Sequence, residues 1–558
     1  MAASYWDKFT RQRISRRRAL QAAGATGAVA GAAWLVGCGS GDDKDGVQPT
    51  AQPTTTGPLF NETPASGAKR GGRHKDVVTA NFDTFDPHLG VASSTAYHVR
   101  NYNLPLNRAT TTDAFVFNDM AESLERIDDV TYNFKLRPGV KIGPNDLGVP
   151  ERDMDWQDAV ASYDRMNTEP RANNGAFVKQ HLNTWTVSAD GQTLTMTTKK
   201  PYAWFLNRIG IGVGSIAPRE LIAQPGRMKD KSAGGGPFTL KRSTEGASAT
   251  LDANPSYYRT GTPLIEGIDV SVIPDRTARR TAFTSRQIYV YGAENIDEAN
   301  ELVNDGYQLV RSPSFSFISL TMNAQEAPWT DERVRKAVGF SVNRKQLIQL
   351  IAKGEARPNG IVHWPLGAFA IAEDELESNF QRVDPDESKR LLKEAGVEEV
   401  EMIFPTLDPI PNYLPIILQQ LEAGGFKIKQ EPQDFTTWLD NYRTRKYKFS
   451  LSLNLPYEWA EIPLSFHHSL GPIGDGSYVA GLKDPDVDAA IDKANTTTEP
   501  EALRDNVRAA QELLYEKGPN FLPLYSGYNF TMYQPFVRDI PQGLAASGLL
   551  VNTWWLDL

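Results

Sequence analysis

Between Asp384 and Gln430 the order of helix and strand signals favours a parallel pair of strands joined across a helix. Asp384-Pro385-Asp386 supplies an N-cap and a first-turn proline, Leu391, Leu392 and Ala395 fall on one face, and Gly396 stops the helix. Residues 400–404 are predicted as a strand, 411–423 as a helix closed by Gly424-Gly425, and 426–430 as a second strand. A β-α-β unit of this kind favours a right-handed crossover. Further helices are predicted over 331–339, 343–353, 484–494 and 499–517. The first half keeps a different rhythm. Tyr132-Asn133-Phe134-Lys135-Leu136, Leu194-Thr195-Met196-Thr197 and Ile268-Asp269-Val270-Ser271-Val272 alternate apolar and polar residues, so each buries one face of a sheet. One helix fits between them, over 156–166. A strand-rich first half and an α/β second half in 558 residues imply at least two lobes, each long enough for its own core.

The composition removes several function classes. A single Cys and seven His, with no H-E-x-x-H and no Cys/His cluster, give no support for a disulfide scaffold or a zinc site. The adjacent His467-His468 could touch a metal chelate, but the pair is expected to face solvent. No G-x-S-x-G elbow and no P-loop is present, and Gly210-Ile211-Gly212-Val213-Gly214-Ser215 has Ser215 where a dinucleotide motif needs glycine. Accordingly no catalytic residue, metal or cofactor is expected. The formal charge is −9; residues 1–37 carry +5, from six Lys/Arg against Asp7, which leaves −14 on the rest. So acidic a body repels phosphate backbones and argues against nucleic acid as a partner.

The N-terminus reads as an address. Ser15-Arg16-Arg17-Arg18 precedes a weakly apolar run over 19–36, the order of an export segment, and the paired arginines suggest the twin-arginine route. The run ends in Leu35-Val36-Gly37-Cys38, which resembles a bacterial lipobox, so cleavage before Cys38 and a diacylglyceryl group on its thiol are implied. Two acyl chains at about 0.8 kcal/mol per buried CH₂ anchor a protein firmly. No other stretch approaches the roughly 20 apolar residues of a membrane span. The Gly-, Asp-, Pro-, Thr- and Ser-rich residues 38–72 then read as a flexible tether. The expected location is extracytoplasmic, in the periplasm or on the outer face of the cell membrane.

A colinear series of segments follows: Asn81-Phe82-Asp83-Thr84-Phe85-Asp86-Pro87-His88, Met120-Ala121-Glu122-Ser123-Leu124-Glu125, Thr131 to Lys141, Trp156 to Tyr163, Gly235-Gly236-Pro237-Phe238, Asn254-Pro255-Ser256-Tyr257-Tyr258, Val272-Ile273-Pro274-Asp275, Met322-Asn323, Pro328 to Val338 and Val342-Asn343-Arg344. Taken together and in order over 73–558, they resemble the extracytoplasmic solute-binding proteins of family 5, the peptide/nickel-type receptors of ABC importers. The resemblance implies an α/β fold of the two-lobed periplasmic-binding-protein type II-like class, with three subdomains and a hinge between lobes. Lobe I would comprise 73–95, 201–312 and 520–558, with an inserted subdomain at 96–200, and lobe II would be 313–519. The lobes would close by hinge motion on a solute, a peptide or peptide-like compound, and a monomer would present it to an ABC permease. An oligosaccharide is the alternative ligand, and an exported hydrolase on the same scaffold the alternative function.

Peptide-binding members of this family pair an Asp in a segment resembling W-x-A-D-Y-x-x-P with the ligand's α-amine. Here the segment reads Pro456-Tyr457-Glu458-Trp459-Ala460-Glu461-Ile462-Pro463, and aligning the proline puts Trp459 in the aspartate's place. Glu458 or Glu461 could supply that charge from a neighbouring position, or both could be solvated loop carboxylates. Tyr457 and Trp459 could stack on a sugar or a planar group, or belong to the core. Trp364, in His363-Trp364-Pro365-Leu366-Gly367, lies in a loop similar to one that approaches the family's cleft. Phe82 and Asp83 are expected to end the first strand near the hinge. Tyr525 and Tyr528 are expected on a returning segment beside that strand, while Trp438 and Trp554-Trp555 are expected in the core.

Overall fold

The computed structural model describes residues 64–90, 107–109, 116–210, 215–407, 409–454, 457, 459–471, 479, 481–540 and 553–558. Cys38, the export segment, most of the tether, Glu458 and residues 211–214 of the glycine-rich motif lie outside the described residues.

The alternating segments of the first half form two sheets. Ala121–Arg126, Thr131–Leu136, Thr193–Thr198 and Leu182–Val187 make a four-stranded antiparallel sheet in that spatial order. Helix Trp156–Thr168 accompanies it, started by a reciprocal cap between Asp155 and Asp158. A second sheet sets Arg73–Val78 parallel to Gly267–Val272, followed by Ser248–Ala253 and Phe238–Thr244. The second half builds a mixed five-stranded sheet in the order Lys427–Gln433, Glu399–Pro405, Phe449–Asn454, Phe317–Met322, Phe521–Pro523. The parallel pairing of Glu399–Pro405 with Lys427–Gln433 is the expected β-α-β unit, crossing through helix Ile410–Ala423. The preceding helix, Pro385–Ala395, is capped by the Asp384 side chain and ends on Gly396 at φ 68°, in the left-handed region where glycine carries no penalty.

Two extended segments connect the halves. Gln308–Pro313 leads into Phe317–Met322, and Phe521–Pro523 leads back into Tyr525–Tyr533. They lie side by side, because Gln308–Pro313 pairs with Tyr525–Tyr533 and Phe317–Met322 with Phe521–Pro523. The result is a two-lobed α/β molecule with paired crossing strands, a geometry that suits hinge motion.

Two expectations at the N-terminal side need correction. The first strand ends at Val78, so Phe82 and Asp83 lie beyond it in a turn. The cause is local: Asn81 accepts from the Gly246 N–H, Asp83 from the Thr84 N–H and Thr84 from the Asp86 N–H, and such side-chain bonds compete with a strand ladder. The returning segment Tyr525–Tyr533 pairs with Val290–Ala293, Gln308–Pro313 and Ala356–Pro358, not with the first strand. Residues next to Val290–Ala293 bridge the two instead, the Tyr289 N–H donating to the Lys75 carbonyl and the Gln534 N–H to the Tyr289 carbonyl.

The largest apolar cluster joins the two halves. It unites Tyr132, Phe134, Trp156 and Met196 of the antiparallel subdomain with Trp459, Leu464, Val487, Ile491, Val507 and Leu514. Trp438 and Trp554 are fully buried, as expected of core residues. Among the described residues no helix is long and apolar enough to cross a membrane.

Candidate functional site

The segment that departs from the family pattern lies against this shared core. Asn454 ends its strand by donating to Ser319 Oγ at 2.8 Å. Past it, the half-buried Tyr457 stands edge-on to Phe317 at 5.9 Å and to Phe466 at 5.3 Å. The short helix Glu461–Ser465 then turns Glu461 inward, where the residue is 1% exposed.

Burying a carboxylate costs several kcal/mol unless charge and hydrogen bonds compensate. Three donors meet one oxygen, Oε2: the Tyr202 hydroxyl at 2.7 Å, the Trp459 indole N–H at 3.1 Å and the Arg208 guanidinium at 3.3 Å. Arg208 also donates to the Tyr202 hydroxyl at 3.4 Å and lies over the Trp459 ring, 5.1 Å from its centroid. His181 stacks on Tyr202 at 4.1 Å. Burial, reinforced by Glu461, holds the Tyr202 hydroxyl well above its ordinary range, and burial pushes the His181 imidazole down, against the pull of Glu461. Both rings are therefore neutral, and the ion pair supplies the charge. The other oxygen, Oε1, is sealed from solvent and meets no donor. Glu461 is thus no solvated loop carboxylate.

Trp364 belongs to a neighbouring wall. Its indole N–H donates to the Ser526 carbonyl at 2.8 Å, its ring lies 5.4 Å from Tyr528, and the Arg357 guanidinium sits 5.1 Å from the ring centroid. The Arg311 guanidinium covers the other aromatic, 3.6 Å from the Tyr528 centroid, and pairs with Glu355. The two walls meet at His363, whose ring packs 5.0 Å from Phe317. Burial pushes that imidazole down to about 3, with the Tyr457 backbone acting in the opposite direction.

The structure therefore brings Tyr457, Trp459, Glu461 and Trp364 into linked positions and places the remaining candidates elsewhere. Tyr525 turns into the lobe behind, with its hydroxyl donating to that of Tyr413 at 2.8 Å. Phe82 stacks on Phe85 at 4.9 Å, and Asp83 is exposed. His467 and His468 are buried, contrary to the solvent-facing expectation. Gly481 backs so closely on them that a Cβ there would stand 2.0 Å from the His468 carbonyl oxygen. The His467 Nδ1–H donates to the Asn520 side-chain oxygen at 2.7 Å, and burial pushes the imidazole down to about 3. Among the described residues no three His, Cys, Asp or Glu side chains converge to hold a metal. Tyr202 and Arg208 are not singled out by the sequence. Their only signal was an aromatic-rich run, Tyr202-Ala203-Trp204-Phe205, more than 250 residues away from Glu461.

Comparison with known proteins places the chain as a whole. The chain is similar to heme-binding protein A of Haemophilus influenzae, with 23% identity over 76% of this chain and 81% of that protein. It is similar to the glutathione-binding protein GsiB of Salmonella paratyphi A, with 25% identity over 81% of this chain and 88% of that one. Among solved structures, the periplasmic binding protein DppA of Helicobacter pylori in complex with the peptide STSA superposes with a TM-score of 0.71 at 18% identity, covering 88% of this chain and 99% of that one. These are binding proteins and not enzymes. With residues 116–471 matching the model for bacterial extracellular solute-binding proteins, family 5 Middle, the chain belongs to that family.

Proposed function

We propose that the chain is the solute receptor of an ABC importer, a lipoprotein held at the membrane through Cys38, which closes two lobes on a peptide or peptide-like ligand and delivers it to a permease. In this reading lobe I is built from 73–95, 201–312 and 520–558, carries the inserted subdomain 96–200, and faces lobe II, 313–519. The observation that carries it is Glu461. On this division Tyr202 and Arg208 come from lobe I and Glu461 from lobe II, so closure seals a carboxylate oxygen that no protein donor serves. A buried acceptor left unpaired costs about 1–3 kcal/mol, and an enclosed ligand donor would recover it. Tyr457, Trp459 and Trp364 offer aromatic surface beside it, and Glu458 adjoins them in sequence. The relatives named above support the ligand class by the glutathione and the peptide in their names.

The test is a thermal shift of the full-length protein against di- to hexapeptides, with cello-, xylo- and manno-oligosaccharides in parallel. A ligand at 100 times its Kd adds about 2.7 kcal/mol, which moves the melt visibly. Peptides are expected to shift it, and Trp459→Ala to diminish the shift. A response to sugars alone would replace the peptide reading with the oligosaccharide one, and steady product release would point to a hydrolase.

A further inference from the structure

Charge at Glu461 restricts what a ligand can present to it. Oε2 is engaged by Tyr202, Trp459 and Arg208, and the Arg208 guanidinium also covers the indole face on which a ligand cation would otherwise rest. Carboxylate and guanidinium cancel, so an arriving ammonium gains no net attraction from the pair and acquires Arg208 as a like-charged neighbour. Oε1 poses the opposite demand. It is a buried acceptor with no donor, and an uncharged N–H or O–H satisfies it without adding charge to a sealed site.

We propose that Arg208 is a specificity-determining residue, an internal counter-ion that selects ligands whose group facing Glu461 is a neutral hydrogen-bond donor, such as the amide N–H of an acylated peptide, over those carrying a free α-ammonium there. This rests on the reading of the cleft as a site for peptide-like compounds. Trp459 adds no free donor of its own, because its indole N–H is spent on Glu461.

Isothermal titration of the full-length protein with a panel of di- to hexapeptides, each with a free or an N-acetylated amine, tests it. Wild type is expected to bind the acetylated member of a pair about tenfold tighter, the scale of one partly screened charge contact. Arg208→Gln is expected to reverse the order by freeing the carboxylate for an ammonium, and Arg208→Lys, which keeps the charge, to retain it. Should Arg208→Gln fail to fold, the wild-type pairs and Arg208→Lys still decide. A wild type that binds the free amine as well as or better than the acetylated form overturns the role of Arg208 while leaving the peptide reading intact. If neither form binds, the peptide reading itself fails and this inference falls with it.

Discussion

Two pairs with a buried carboxylate, Asp86–Arg165 and Glu461–Arg208, differ in how their hydrogen bonds are completed. Asp86 and Arg165 are both buried and meet in a two-pronged contact of 2.9 and 2.5 Å. Asp86 also accepts from the His88 N–H at 3.0 Å, while His88 Nδ1 accepts from Arg165 at 3.2 Å and Nε2–H donates to the Ser215 carbonyl at 2.9 Å. Hydrogen bonds close that network on every side, which fits a fastener between the N-terminal segment and helix Trp156–Thr168. The Glu461–Arg208 pair crowds its donors onto one oxygen and leaves the other without any. A completed network reports on folding, and an incomplete one leaves a place for something that arrives later.

The sharpest way to break this contrast is Arg165→Met. It leaves the Asp86 carboxylate buried without its counter-ion, and such one-sided removals cost about 3–5 kcal/mol. A steep fall in the melting temperature of the full-length protein is expected, with no ligand able to restore it selectively. A variant that melts within a degree or two of wild type would show that the fastener is dispensable.

Another orphan sharpens the distinction, since an unserved polar group is not a site by that fact alone. His74 is buried between Trp554, 5.3 Å away, and Tyr289, 6.0 Å away, and neither ring nitrogen has a hydrogen-bond partner. Burial pushes it down to about 4, as it does His88, while His363 and His467 are pushed to about 3. The folded state thus holds these imidazoles neutral where the unfolded chain protonates near 6.5. Between pH 6.5 and 4 the unfolded state binds more protons, so stability falls as the pH falls through that window. At about 1.4 kcal/mol per unit, His74→Phe is expected to gain about 2 kcal/mol over wild type at pH 5 and to lose that advantage by pH 7. Denaturant melts at the two pH values check it, and an equal effect at both would assign the change to packing.

Much of the fold was legible because its signals are local. The Asp384 cap, the Gly396 stop and the alternation of 132–136 and 194–197 lie within a few residues of the structure they specify. The first strand stops short of Phe82 because Asn81, Asp83 and Thr84 spend their side chains on backbone N–H groups, which composition does not reveal. The site was legible only on one side. The departure at Trp459 pointed to the right segment, but what Glu461 does depends on Tyr202 and Arg208, and a tertiary contact across some 250 residues leaves no periodicity to read. The inward turn of His467 and His468 likewise depends on Gly481, a close approach visible only once the chain is folded.

The smallest effect tests the contrast from the other side. Glu461→Gln keeps the shape of the side chain and an oxygen to accept from Tyr202 and the Trp459 indole, while its new amide can face the place where Oε1 had no donor. The loss is the attraction of Arg208 at 3.3 Å, and the partly exposed arginine can turn toward water. The gain is relief from burying a charge, a term that often matches the pair's attraction. A change in stability of under about 1 kcal/mol is therefore expected, several times less than at Arg165, together with a clear loss of ligand-induced stabilisation, because the ligand's donor would now meet an N–H. Thermal melts with and without the peptides that shift wild type measure both quantities on one sample. A collapse of stability on the scale of Arg165→Met would make Glu461–Arg208 a second fastener and remove the reason to look for a ligand there.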